Sequence, residues 1–372
     1  NNVPSITTLD GMQGKLDTAA KKCVNNYGFF IGATEDNVAD LQEAVGTKEK
    51  PIAIPGICGI KIFMGASTGT LLVSDRVALE KIFTETAGLI AVHAEDEDRM
   101  NERKKLVEGR TDIAAHAYYR DDITALLATK LSVELAIKTG HRLHILHLTS
   151  GIEADYLADY CTLPSKAEQH PIITTEVLPQ HLTFDETDVD EQGVRLQMNP
   201  PIRYAADREI LWSRLRDGTI QCIATDHAPH TLENKAKGFP NAHSGMPGVE
   251  TSLSVMLTNV NDGKCSLEDV VRWMSTDVAD CYQMIGKGKL EVGYDGDVVL
   301  VDMAAKAVVE DENSWTRVGW NPFRGRELTG WPVLTVVEGT PVFERSPVTG
   351  QKGRLLVEPG SVGKPILMNP WN

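Results

Sequence analysis

An α/β fold of the (β/α)₈ TIM-barrel type followed by a small β-sandwich domain is what this sequence predicts, and three observations lead there. Up to about residue 285, short β-rich apolar runs alternate with helical patterns, and strand-then-helix repetition requires parallel strands joined by crossover helices. Polar residues fall at the C-terminal ends of the strand candidates, where a barrel gathers its chemistry from several strands. Beyond that point, turn residues and short β runs dominate.

Strand candidates occupy 59–64, 89–93, 143–148, 172–177 and 220–225; helix candidates occupy 75–86, 123–139, 152–160 and 206–217. His93, His147, Glu176 and Asp226 stand at or near the ends of four of these strands. The competing doubly wound sheet would show a glycine-rich phosphate turn after an early strand. Gly65-Ala66-Ser67-Thr68-Gly69 is too late and too poorly spaced for that turn or for a P-loop. A chain of 372 residues exceeds the size at which one core usually stops growing. The division expected is a barrel over 1–285 and a small β-domain with a C-terminal tail over 286–372. Gly286-Lys287-Gly288 opens the second part, Val298-Val299-Leu300-Val301-Asp302 is its first strand candidate, and a Glu338-Gly339-Thr340 turn follows another at 333–337.

Composition excludes several function classes. Hydrophobic residues make up 42% and charged residues 24%, an ordinary globular mixture. With 52 acidic and 37 basic side chains the net charge is -15, which repels phosphate backbones and anionic membrane surfaces. A small-molecule substrate fits, even an anionic one, because a pocket can be locally positive. The six cysteines form no Cys-x-x-Cys pair, so neither a zinc ribbon nor a disulfide framework is expected, and a reduced, cytoplasmic setting is. No run of about 18 apolar residues offers a membrane span. The start, Asn1-Asn2-Val3-Pro4-Ser5, has no signal-peptide character and no initiator Met, which is compatible with a chain that begins inside a longer protein.

Four residues could carry chemistry. Asp226 follows the apolar run 220–223 in Ala224-Thr225-Asp226-His227-Ala228-Pro229-His230, and a carboxylate there can ligate a metal or accept a proton from water. The plain alternative is an Asp that caps the next turn. His93 ends the run Leu89-Ile90-Ala91-Val92, and His147 lies in His144-Ile145-Leu146-His147-Leu148. Strand alternation places His144 and His147 on opposite faces, so one of them is expected inside. His147, closer to the strand end and to Thr149-Ser150, is the choice. One strand-end His is commonly structural; two with an Asp, each ending a different strand, point to zinc. Lys61 in Gly59-Ile60-Lys61-Ile62-Phe63-Met64 is an ammonium on an apolar strand, costly unless paired or chemically altered. Burial would lower its pKa and open Schiff-base chemistry or reaction with carbon dioxide to a metal-bridging carbamate. The third reading is a lysine facing solvent between helices.

Together these residues resemble the amidohydrolase superfamily, and within it the dihydroorotase and hydantoinase branch, over nearly the whole chain. The resemblance implies a carboxylated Lys61 bridging two Zn²⁺ ions per subunit, His93 and His147 on one metal, and Asp226 completing the site. Thr225-Asp226-His227-Ala228-Pro229-His230-Thr231 is similar to the dihydroorotase last-strand signature, whose second histidine, here His230, helps bind a substrate carboxylate. Met198-Asn199-Pro200-Pro201-Ile202-Arg203, Gly245-Met246-Pro247-Gly248-Val249-Glu250-Thr251, Glu176-Val177-Leu178-Pro179-Gln180-His181 and Gly319-Trp320-Asn321-Pro322-Phe323-Arg324-Gly325 also resemble that family. Asn1 resembles its carboxylate-contacting asparagine, and Asn199 is expected to share that contact.

The activity implied is reversible hydrolysis of dihydroorotate to N-carbamoyl-aspartate in pyrimidine synthesis, by a homodimer or homotetramer. Alternatives are a dihydropyrimidinase, hydantoinase or allantoinase, or a non-catalytic relative serving as an assembly partner. The chain departs from the family in one respect. No His-x-His occurs among its ten histidines, whereas the family supplies such a pair to the more buried metal, with an Arg two residues on. If Asn1 matches the family segment, that pair is expected upstream of residue 1, with the first barrel strands and half of the small β-domain.

Overall fold

The computed structural model describes residues 2, 4–67, 71–168, 172–346 and 352–369. Six parallel strands run side by side in chain order: β1 (Phe29–Gly32), β2 (Ile57–Phe63), β3 (Ile90–His93), β4 (Leu143–Leu148), β5 (Ile173–Val177) and β6 (Cys222–Ile223). They form an arc of a barrel with β1 and β6 at its edges among the described residues. All four residues of β3 and all five of β5 are buried, as befits parallel strands covered on both faces. This is why they read as continuous apolar runs. β1 was not among the strand candidates: it has only four residues and ends on glycine.

The crossover helices begin and end where local chemistry directs them. Asp75 accepts from the Ala78 amide at 2.8 Å to open the helix Arg76–Glu85, and Asp121 accepts from the Thr124 amide at 3.0 Å to open Asp122–Thr139. Gly140, with φ of 69°, closes the latter in the left-handed conformation. Gly151–Leu157 and Ala205–Asp217 complete the set that the helical pattern located. Their apolar faces and the outer face of the sheet make one large core, from Ile31 and Leu41 through Phe83 and Leu135 to Trp212 and Trp273.

The C-terminal part forms a four-stranded antiparallel sheet in the order β10-β9-β8-β7, with β7 (Val298–Val308), β8 (Glu327–Val337), β9 (Thr340–Glu344) and β10 (Arg354–Leu355). This sheet is the small β-domain expected after the barrel. Glu338 (φ 48°) and Gly339 (φ 79°) form the two-residue turn between β8 and β9; two positive φ values in succession match the twist of a hairpin. The helix Ser252–Asn261 packs on β8, and Gly330 permits the close approach, because a Cβ there would sit 2.6 Å from the Leu257 Cβ. A second core cluster joins Leu178, Phe184 and Met198 to Trp320 and Phe323 of the C-terminal part. No helix among the described residues is long and apolar enough to cross a membrane.

Candidate active site

Register across the sheet decides which side chains share the lumen. Gly32, Lys61, Ala91, His144 and Thr174 are paired in one row across β1 to β5, and paired residues of parallel strands point to the same face. His144 therefore faces the lumen with Lys61, contrary to the expectation that choosing His147 excludes it. The ladder explains why both are inside. Between Ile145 and Leu148, β4 spends three steps while β5 spends two, from Thr175 to Val177, so β4 carries one extra residue and its side-chain alternation is reset. His147 sits in this bulge with a φ of 38°.

The two lumen histidines have different tasks. His144 is satisfied by neighbours: Nδ1 lies 2.8 Å from the Thr174 hydroxyl and Nε2 3.1 Å from Glu176 Oε2. His147 turns its Nε2 to the Nδ1 of His93 at 3.1 Å, and its own Nδ1 is buried without a hydrogen-bond partner. His93 Nε2 lies 2.7 Å from Glu95 Oε2, and Glu95 also pairs with the buried guanidinium of Arg120. Burial alone would raise the Glu95 carboxyl; Arg120 and then the His93 hydrogen bond outweigh it and hold it at about 2. An ionised Glu95 only accepts, so His93 must carry its proton on Nε2, which leaves a bare lone pair on Nδ1. Burial keeps both imidazoles neutral by lowering their pKa values, most strongly for His147.

Lys61 and Asp226 form the other pair. Neither has an ion-pair partner within 4.0 Å among the described residues, and the Lys61 Nζ lies 4.4 Å from the Phe63 ring centroid. Both keep some surface toward the lumen. Desolvation lowers Lys61 to about 7 against the pull of Asp226 and Glu176. Desolvation, with Glu176 adding, raises Asp226 to about 6 although Lys61 opposes it. Asp226 has a φ of 39°. Two of the four non-glycine residues with positive φ among those described are thus His147 and Asp226. Such backbone costs about 1–3 kcal/mol each and concentrates at functional positions.

A metal is tested against these atoms. Among the described residues no three His, Cys, Asp or Glu side chains form a ready ligand group. The His93 and His147 nitrogens, 3.1 Å apart, can nevertheless both reach one Zn²⁺ at about 2.0–2.1 Å. Glu95 orients His93 in the manner of a carboxylate behind a ligating imidazole. With Lys61 and Asp226 close enough to perturb each other, the donor set fits one ion. It offers no second pair of imidazoles for a further ion.

Beside these groups opens a cavity of about 1380 Å³, lined by Ser67, His116, Arg120, Asn199, His230 and Ser244 among others. Arg120, paired with Glu95, and His227, next to Asp226, connect its wall to the histidine and aspartate sides. Asn199 and His230, expected near a substrate carboxylate, are both in the lining; Asn1 lies outside the described residues. Asn199 Oδ1 is 3.0 Å from His116 Nε2, and its Nδ2 donates to the Ser67 hydroxyl at 3.2 Å. The His230 ring meets that of His243 edge-on at 5.0 Å. Sequence reasoning overlooked Glu95, Arg120 and His116. Glu95 had a signal, two residues beyond His93 in Val92-His93-Ala94-Glu95; Arg120 and His116 had none.

Known proteins resemble this chain over most of its length. A family model described as the amidohydrolase family matches residues 30–342. A dihydroorotase of Methanosarcina mazei is 30% identical over 359 residues, 95% of this chain and 76% of that protein. An allantoinase of Streptomyces avermitilis is 32% identical over 361 residues, 96% of this chain and 77% of that protein. The solved structure of an L-hydantoinase from Arthrobacter aurescens superposes with a TM-score of 0.86 at 28% identity, covering 98% of this chain and 78% of that one.

Proposed function

The chain belongs to the amidohydrolase family, and from that premise we propose that it hydrolyses a cyclic amide, with dihydroorotate the substrate its site suits best. The observation that carries this reading is the meeting of His93 Nδ1 and His147 Nε2 at 3.1 Å, beside Lys61 and Asp226, which have no ion-pair partner within 4.0 Å among the described residues. His93 and His147 would hold one Zn²⁺, with Lys61 and Asp226 as the neighbouring groups that could complete its ligand set. Bound zinc supplies Lewis acidity toward a carbonyl and a lowered pKa for water.

The chain's own groups do the rest. Asp226, raised to about 6, sits where a base can take a proton near neutrality and release it again. It accepts a proton from the attacking water and returns it to the ring nitrogen as the C–N bond breaks. His230 and Asn199 hold the substrate carboxylate by hydrogen bonds. Glu95 and Arg120 keep His93 in the tautomer that leaves its lumen nitrogen free.

A hydantoinase- or allantoinase-type substrate is the second reading, favoured by the L-hydantoinase superposition and the allantoinase relative. Histidine and asparagine on the cavity wall favour the carboxylate-bearing ring. Zinc-loaded protein assayed in parallel on dihydroorotate, hydantoin and allantoin separates the two. Turnover of dihydroorotate above the others is expected; preference for hydantoin or allantoin transfers the assignment, and no turnover of any of them overturns it.

A further inference from the structure

Lys235 is a lysine the mechanism does not use, yet it is among the most deeply buried side chains, with 1% of its surface exposed. It ends the short helix Leu232–Lys235, which Thr231 opens just beyond His230. Among the described residues no carboxylate lies within 4.0 Å of its ammonium. Instead Nζ donates to the carbonyls of Gln197 at 2.8 Å and His243 at 2.9 Å, and lies 5.8 Å from the Trp320 ring centroid. A cation buried without a counter-charge costs stability, so this position is poorly explained as core filling, which a methionine would do better.

Each partner leads to the cavity. Gln197 lies two residues before Asn199, and its carbonyl also accepts from the Gly245 amide at 2.9 Å. His243 packs its ring on that of His230 and precedes Ser244, whose hydroxyl is 3.4 Å from the His116 nitrogen that also contacts Asn199. The Trp320 indole donates to the His230 carbonyl at 2.7 Å. One ammonium thus touches the segment that carries Asn199 and two residues, His243 and Trp320, that contact His230. We propose that Lys235 is a positioning residue that clamps the 197–199 and 243–245 segments together, and so fixes the spacing of Asn199 and His230 for an anionic ligand. Burial draws Lys235 down to about 7; both the ammonium and the amine carry the two N–H groups the carbonyls need, so the clamp holds on either side of neutrality.

This inference rests on the cavity being the substrate pocket, and its test has a reading independent of turnover. In zinc-loaded full chain, Lys235→Met should raise KM for dihydroorotate about tenfold while kcat changes by less than about twofold. Hydrogen exchange at the Gly245 amide should quicken about tenfold, and Lys235→Arg should restore most of both. If the wild type turns over no cyclic amide, the functional reading fails, and the exchange comparison alone decides the clamp. Unchanged exchange and KM in Lys235→Met overturn the proposal. So does a parallel loss of kcat and melting temperature that Lys235→Arg does not repair. Should Lys235→Met fail to fold, Lys235→Gln, whose amide nitrogen ends one bond short of the Nζ position and so loosens both contacts, carries the same readings.

Discussion

Two pairs of side chains meet at the top of the sheet, and they are built differently. His93 and His147 are buried and touching, and His93 is backed by a carboxylate that is itself paired with Arg120. Lys61 and Asp226 are partly open to the lumen, have no direct ion-pair partner among the described residues, and are drawn to about 7 and about 6. The first pair has its proton positions set in advance by its second layer. The second has groups poised near neutrality. A site that must hold an ion rigidly and move protons readily needs both kinds of construction.

The largest effect that could break this contrast is at the open pair. Asp226→Asn keeps the shape and removes the base, so kcat should fall by about 10²–10⁴-fold with the melting temperature nearly unchanged. Near-normal turnover would assign the proton transfer elsewhere.

The closed side makes a prediction about pH. Behind it lies a second buried carboxylate, Glu153, which burial raises from 4.5 to about 7 despite hydrogen bonding from Thr129. The folded form therefore keeps a proton that the unfolded chain releases between about 4.5 and about 7, and stability declines as pH rises through that window. Glu153→Gln should flatten the decline, gaining up to about 3 kcal/mol relative to wild type at pH 8 in denaturant unfolding. An identical pH slope in the variant would show that Glu153 ionises normally.

Glu95→Gln tests the second layer itself. It removes the charge that fixes the His93 tautomer, and zinc affinity measured by chelator competition should drop by about 10–100-fold. Unaltered affinity would reduce Glu95 to a packing residue and erase the distinction between the two pairs. The smallest effect expected is at the cavity wall. His230→Ala should raise KM for dihydroorotate several-fold, about 1 kcal/mol for one hydrogen bond lost, while zinc content stays constant.

By itself the sequence determined the alternation of strand and helix, the boundaries of the helix Arg76–Glu85 to within one residue at each end, and the identity of His93, His147, Lys61 and Asp226 as the residues to watch. These are local properties: strand ends, caps and an ammonium in an apolar run are all written within a few neighbouring positions. The tertiary structure alone decided that His144 and His147 both turn inward, because a bulge is an accident of pairing between β4 and β5 that no alternation within β4 reveals. It alone brought Arg120 to Glu95, 25 positions apart, and Lys235 to the carbonyl of Gln197, 38 positions away. Ion pairs and buried donors are chosen by distance in space, and separation along the chain carries no information about that distance once the sheet has folded.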